Sequence, residues 1–213
     1  MIQVKSFTFS PIQENTYVLY NQLGDAFIID PGCYTASEQI KLDGFLKENG
    51  LKPVLLINTH CHLDHVFGLD WAASKYGLTP QIHPFEEQML KLAPASGQMW
   101  GLPFHGYEGP LGYLKEGSTL LLGTDELTLL FAPGHSPGHL CFYCKKQAFV
   151  IGGDVLFQGS IGRTDLPFGD FDELINSIRT QLFTLPAETV VYPGHGPTTT
   201  IGFEKRHNPF LQD

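Results

Sequence analysis

The chain has 213 residues, 42% apolar and only 16% charged, so it is long enough for a sizeable core and lacks the composition of a disordered chain. Thirteen basic residues against twenty-two acidic ones leave a net charge of −9, which argues against nucleic acid and against an anionic membrane surface as partners. Nine histidines are the one compositional surplus.

No run approaches the ~18 apolar residues of a membrane-spanning helix. Residues 1–10 alternate like a strand and lack the basic-then-apolar order of a signal peptide. Cys33, Cys61, Cys141 and Cys144 therefore read as reduced thiols, and the expected location is cytoplasmic. Val4, Phe7 and Phe9 mark a first strand, residues 17–20 a second and 26–29 a third, stopped by Asp30-Pro31-Gly32. Residues 36–47 carry Ile40, Leu42, Phe45 and Leu46 at near-helical spacing, and the solid apolar run 54–57 suits a buried strand. A helix from about 66 to 76, a short strand at 81–83 and a helix at 85–92 follow.

Residues 93–117 hold three prolines and six glycines and read as one long loop facing the substrate. Strands resume at 119–122, 127–131, 140–143 and 148–151. Beyond them lie a glycine-rich segment (152–169), a helix (171–183), a strand (190–192) and a short helix (201–207). Strands and helices alternate, with hairpins in both halves, which predicts helices packed on mixed sheets in one α/β domain spanning 1–213.

The buried run 54–57 leads straight into His60, His62, Asp64 and His65. Burying so many imidazoles and a carboxylate together is costly without a cation, for which neutral imidazole and carboxylate are ligands. Three later segments repeat one grammar, a strand and then a turn with one ligand-type residue: Pro133-Gly134-His135, Gly152-Gly153-Asp154 and Pro193-Gly194-His195. Seven ligands exceed one tetrahedral ion but suit two divalent ions sharing a carboxylate.

These residues resemble the His-x-His-x-Asp-His signature and later single ligands of the metallo-β-lactamase superfamily, in the same order and over essentially the whole chain. The resemblance implies a four-layer αβ/βα sandwich, two mixed β-sheets flanked by helices. By the family pattern His60, His62 and His135 hold one metal, Asp64, His65 and His195 hold a second, and Asp154 bridges them. Asp64 and Asp154 are then also the catalytic carboxylates, and the nucleophile is a metal-bridging hydroxide. The metals are expected to be zinc, with iron or manganese as alternatives.

Within the superfamily, Pro133-Gly-His135-Ser-Pro-Gly-His139 and Gly152-Gly-Asp154-Val-Leu-Phe157 resemble the hydroxyacylglutathione hydrolases, or glyoxalase II, in a short form. That implies a small-molecule thioester substrate such as S-lactoylglutathione, and no protein partner is expected. Only residues 196–213 follow His195, so the helical C-terminal domain that helps two-domain members hold glutathione is expected to be absent. Two tyrosines of the longer enzymes are also replaced, by Asp165 and Pro197. Arg163 is then the candidate substrate-binding cation, with an ion pair to Asp165 as its structural alternative. A mononuclear-iron persulfide dioxygenase shares the fold and a Gly-Arg-Thr-Asp segment, but its last motif differs from Pro193-Gly-His195-Gly-Pro197. A lactonase or other esterase is a third option, and a non-catalytic metal-bound module a fourth. Cys61 and the Cys141/Cys144 pair read as packing residues, and His139 as the best candidate to support a ligand from behind.

Overall fold

The computed structural model describes residues 1–212. Its backbone divides into two compact units, Met1–Leu114 with Leu122–Asp125, and Lys115–Leu121 with the chain from Glu126 onward.

The first sheet contains β1 (Gln3–Phe9), β2 (Glu14–Tyr20), β3 (Asp25–Ile29), β4 (Lys52–Ile57), β5 (Gln81–Ile82) and β6 (Gly112–Tyr113), in that spatial order. β1, β2 and β3 pair antiparallel, with Phe7 opposite Thr16 and Tyr17 opposite Ile29. β3 through β6 run parallel. Helix α1 (Ala36–Glu48) begins with a capping box in which Thr35 and Glu38 satisfy each other's backbone amides. It buries Leu42 and Leu46 with Ile28 and Leu56.

Two boundaries differ from the sequence reading. Helix α2 (Leu69–Tyr76) starts three residues later than expected, because Leu63–His65 already forms a 3₁₀ turn. Helix α3 (Glu87–Met99) runs through Pro94 into the segment expected to be loop. Met89, Leu90, Ala93 and Gly97 keep helical spacing and are buried, which outweighs the hydrogen bond that Pro94 cannot make. The remainder, 100–117, is irregular except for β6, which pairs with β5.

The second sheet is built from β7 (Thr119–Leu122), β8 (Asp125–Phe131), β9 (Leu140–Cys144) and β10 (Phe149–Gly153). A separate hairpin, β11 (Leu156–Phe157) and β12 (Ser160–Ile161), interrupts the glycine-rich segment. β13 (Val190–Pro193) and β14 (Thr199–Thr200) complete the sheet, ordered β14-β13-β10-β9-β8-β7. Helix α4 (Phe171–Ser177) widens into a π-helical stretch, Ile178–Leu182, and α5 (Ile201–His207) follows β14. Leu174, Ile178 and Leu182 pack in one core with Val150, Val191 and Ile201. The fold is thus two mixed sheets flanked by helices, the elements of the expected αβ/βα sandwich.

Strand direction decides where the polar residues go. β3, β4 and β5 are parallel, so Asp30, the 58–65 loop and the 83–86 turn emerge from one edge of the first sheet. β8 and β10 both oppose β9, and β13 runs with β10, so His135, Asp154 and His195 likewise follow three strand ends at one edge of the second.

Candidate metal centre

His60, His62, Asp64 and His65 are all buried in the loop after β4. Asn58 donates its amide to the His65 carbonyl (2.8 Å), closing that loop on itself. Asp30 braces it from the end of β3. Its carboxylate accepts the Thr59 N–H (2.7 Å), the Thr59 hydroxyl (2.6 Å) and His65 Nδ1 (3.0 Å). With Nδ1 donating, His65 presents its Nε2 lone pair to an ion. The same logic fixes His60. The Thr59 hydroxyl hydrogen is spent on Asp30, so its oxygen accepts from His60 Nδ1 (3.0 Å) and Nε2 is again the ligand atom. Asp30 holds this position on left-handed backbone, φ +51°, a conformation aspartate tolerates better than most residues.

Behind His65 stands Glu14, fully buried, with Oε1 3.9 Å from Nδ1. Burial pushes the Glu14 carboxyl well above the usual carboxylate range, with His65 opposing the rise. Thr16 donates to Glu14 (2.9 Å) and accepts the Gly32 N–H (2.9 Å). Gly32 is required there, since a Cβ would collide with the Glu14 carboxylate and press on the Asp64 carbonyl at 2.5 Å. Cys61 sits between two ligands, but burial, reinforced by Glu86, pushes its thiol well up, which disfavours the thiolate a metal would need.

In the second unit the ligands come singly. His135 Nδ1 donates to the Arg163 carbonyl (2.7 Å), leaving Nε2 to face Asp154 Oδ2 at 3.5 Å. His195 Nε2 lies 3.6 Å from the same oxygen. The Asp154 N–H donates to Nε2 of the buried His139 (3.1 Å), so His139 fixes the backbone of Asp154. Gly162 passes so close to the Asp154 carbonyl that no Cβ fits. His195 is the most exposed of the candidate ligands, its side chain 27% accessible.

The donor atoms of His60, His62 and His135 lie within 4.8 Å of one another, as do those of Asp64, His65 and His195. These are the two sets the family pattern implies, and Asp154 faces one member of each. Five imidazoles and two carboxylates fit a pair of borderline divalent ions. A third grouping, Asp30 with His60 and His65, meets the same distance criterion, but Asp30 already spends its oxygens on Thr59 and His65. Asp30, Glu14 and Glu86 are the residues the sequence reading missed. Only the position of Asp30 at a strand end, matching the other strand-end ligands, could have signalled one of them.

The remaining candidates divide between surface and structure. Arg163 forms a two-point fork onto Asp165, with both N–H···O distances 2.8 Å. Cys141 and Cys144 are buried free thiols, as expected of packing residues. His83 is buried and accepts the Phe85 N–H (3.3 Å), whereas His105 and His207 are exposed. No helix among the described residues is long and apolar enough to cross a membrane.

A fold of two mixed sheets with paired metal-donor sets at strand ends defines a metal-dependent hydrolase of the β-lactamase type, and the model of the metallo-beta-lactamase superfamily matches residues 10–195. The chain belongs to that superfamily. It is 36% identical over 214 residues, covering 99% of this chain and 98% of the relative, to hydroxyacylglutathione hydrolase GloC of Haemophilus influenzae. Among solved structures it is similar to the BLEG-1 B3 metallo-beta-lactamase, with 39% identity and a TM-score of 0.90 over 99% of this chain and 100% of that one. It is also similar to TTHA1623 in a di-iron-bound form, with 40% identity and a TM-score of 0.88 over 97% of this chain and 100% of that one.

Proposed function

We propose that the protein is a binuclear thioester hydrolase whose substrates are acyl derivatives of a small thiol, S-lactoylglutathione being the first to test. The observation that carries the two-ion reading is the Asp154 carboxylate, 3.5 Å from His135 Nε2 and 3.6 Å from His195 Nε2. The thioester reading is supported by the similarity to GloC along nearly the full length of both chains.

In this reading His60, His62 and His135 hold one ion, Asp64, His65 and His195 hold the other, and Asp154 serves both. When bound, the ions supply Lewis acidity and lower the pKa of water to about 7. The Asp64 carboxylate would accept a hydrogen bond from the attacking water and orient it. His60, His65 and His135 keep their Nδ1 hydrogens on protein acceptors, so none of them carries away the water's proton. The departing thiol, with a pKa of roughly 8.5, leaves as thiolate and needs no general acid. Zinc is the proposed metal, with iron and manganese as alternatives. Arg163 is the proposed contact for a substrate carboxylate.

The test is one preparation, loaded separately with zinc, iron or manganese and assayed against S-lactoylglutathione, a β-lactam, an aliphatic lactone and glutathione persulfide with O₂. Turnover of the thioester at least a hundredfold above the others supports the reading. Preferential turnover of any other substrate replaces it.

A further inference from the structure

We infer that Glu86 is a positioning residue for the metal centre, its buried carboxylate holding the peptide between His60 and His62. The inference rests on the reading of that loop as a metal site, but not on the identity of the substrate.

Glu86 closes the 3₁₀ turn Pro84–Glu86 after β5 and immediately precedes α3. It is wholly buried. A carboxylate in that place costs solvation, and the first turn of a helix partly offsets the cost through its amide dipoles. The usual use of an acid there is to cap those amides, yet the Glu86 side chain caps none of them. Its Oε2 instead accepts the backbone N–H of Cys61 at 2.8 Å, 25 residues back in sequence.

Cys61 is the one residue separating His60 from His62, and all three are buried. The rotation of the Cys61 peptide sets how the two imidazoles diverge, their ring centroids 4.8 Å apart and their planes at 86°. Asp30 fixes the Nδ1 side of His60 through Thr59, and Asn58 fixes the carbonyl of His65. Neither restrains the peptide leading to His62. Glu86 supplies that restraint, reaching the loop from the strand end next to β4, just as Asp30 reaches it from the strand end on the other side.

The experiment measures zinc affinity by chelator competition, without substrate, and the visible spectrum of the cobalt-substituted protein. Amide hydrogen exchange at Cys61 is followed in the metal-free form. Glu86→Ala is expected to weaken one of the two ions by about ten- to a hundredfold, the usual range for residues that orient ligands. It should also alter the cobalt spectrum and speed Cys61 exchange. Glu86→Gln keeps an acceptor oxygen and should restore affinity to within about threefold of the parent. Leu42→Ala, a cavity in the same core, should lower the melting temperature and leave affinity and spectrum alone.

Unchanged affinity and spectrum in a folded Glu86→Ala protein would overturn the inference, as would an equal loss of affinity in Leu42→Ala. If Glu86→Ala does not fold, parent and Glu86→Gln decide. Slow Cys61 exchange in both, with parental affinity in the Gln variant, supports the role; exchange at the rate of an open loop refutes it. A parent protein that binds zinc but hydrolyses no thioester would remove the proposed substrate and leave this result standing.

Discussion

The two sheets deliver their candidate ligands by opposite means. The first spends a single loop: four ligands fall within residues 60–65, buried and braced by side chains from neighbouring strand ends, above all Asp30 and Glu86. The second spends three strands on three ligands and braces two of them through main chain: the Arg163 carbonyl on His135, and the Asp154 amide on His139. A crowded loop has no regular structure of its own, so distant carboxylates must fix it. A candidate ligand one to four residues beyond a strand inherits the rigidity of the sheet and needs only one anchor. The first region should therefore be sensitive to charge removal behind the ligands, and the second to changes of backbone shape.

The largest effect is expected where one side chain faces both donor sets. Asp154→Ala should abolish hydrolysis and leave no more than one firmly held metal ion per chain by elemental analysis. Retention of two ions with ordinary turnover would show that the sets do not share this carboxylate. Asp30→Asn comes next. The exchange keeps the shape but puts an amide N–H₂ where either Thr59 or His65 needs an acceptor. Losing charge-assisted hydrogen bonds inside a buried network costs about 3 kcal/mol. At roughly 2–4 °C per kcal/mol for a chain of this size, thermal denaturation should fall by about 6–12 °C. Metal affinity should drop about ten- to a hundredfold. A variant that lost stability but kept its metal affinity would make Asp30 a folding residue alone.

The legibility of the molecule in its sequence follows the same division. The candidate ligands stand out because strand-end glycines and crowded histidines have few other uses, and the donor groups found in space coincide with the sets the resemblance implies. Most strands could be read from short apolar runs. The helix through Pro94 could not, because a proline inside a helix is a poor local signal, and only tertiary burial of Ala93 and Gly97 overrides it. Asp30, Glu14 and Glu86 could not be recognised as supports either. Each is a single acid in an ordinary stretch, and its partner lies 29, 51 or 25 residues away. Such pairings arise from the order and direction of neighbouring strands, which periodicity does not encode.

A backbone change in the second region should have an intermediate effect. Gly162→Ala drives a methyl group against the Asp154 carbonyl and within 3.1 Å of the His135 ring. Overpacking of this kind costs about 1–3 kcal/mol. The loss should appear chiefly in metal retention by the His135 set, followed by chelator titration, since the displaced atoms carry the ligands. Gly101→Ala is the control: it places alanine at positive φ, +70°, and so strains the backbone, but it meets no neighbour within 4 Å. Equal loss of metal in both variants would mean that general strain, and not the position beside Asp154, is responsible.

The smallest effect belongs to Arg163, and it turns on competition. A free guanidinium gripping a substrate carboxylate would give about ten- to a hundredfold in KM. Here the fork is already closed on Asp165, so a substrate gains only the difference between two carboxylates. Arg163→Ala should therefore raise KM for S-lactoylglutathione by about threefold and leave kcat unchanged, while Asp165→Asn, which opens the fork, should lower KM. Acid titration separates this from a bracing role. The Arg163 hydrogen bonds pull the Asp165 carboxyl down to about 2. A group held below its ordinary pKa stabilises the fold above the usual carboxylate range, and that contribution disappears as the pH falls through about 2. Both side chains are well exposed, so the melting temperatures of parent and Arg163→Ala should differ little above pH 4 and converge below 2. Unchanged KM in both variants, together with a clear difference in melting temperature above pH 4, would assign the pair to the turn and remove Arg163 from the substrate.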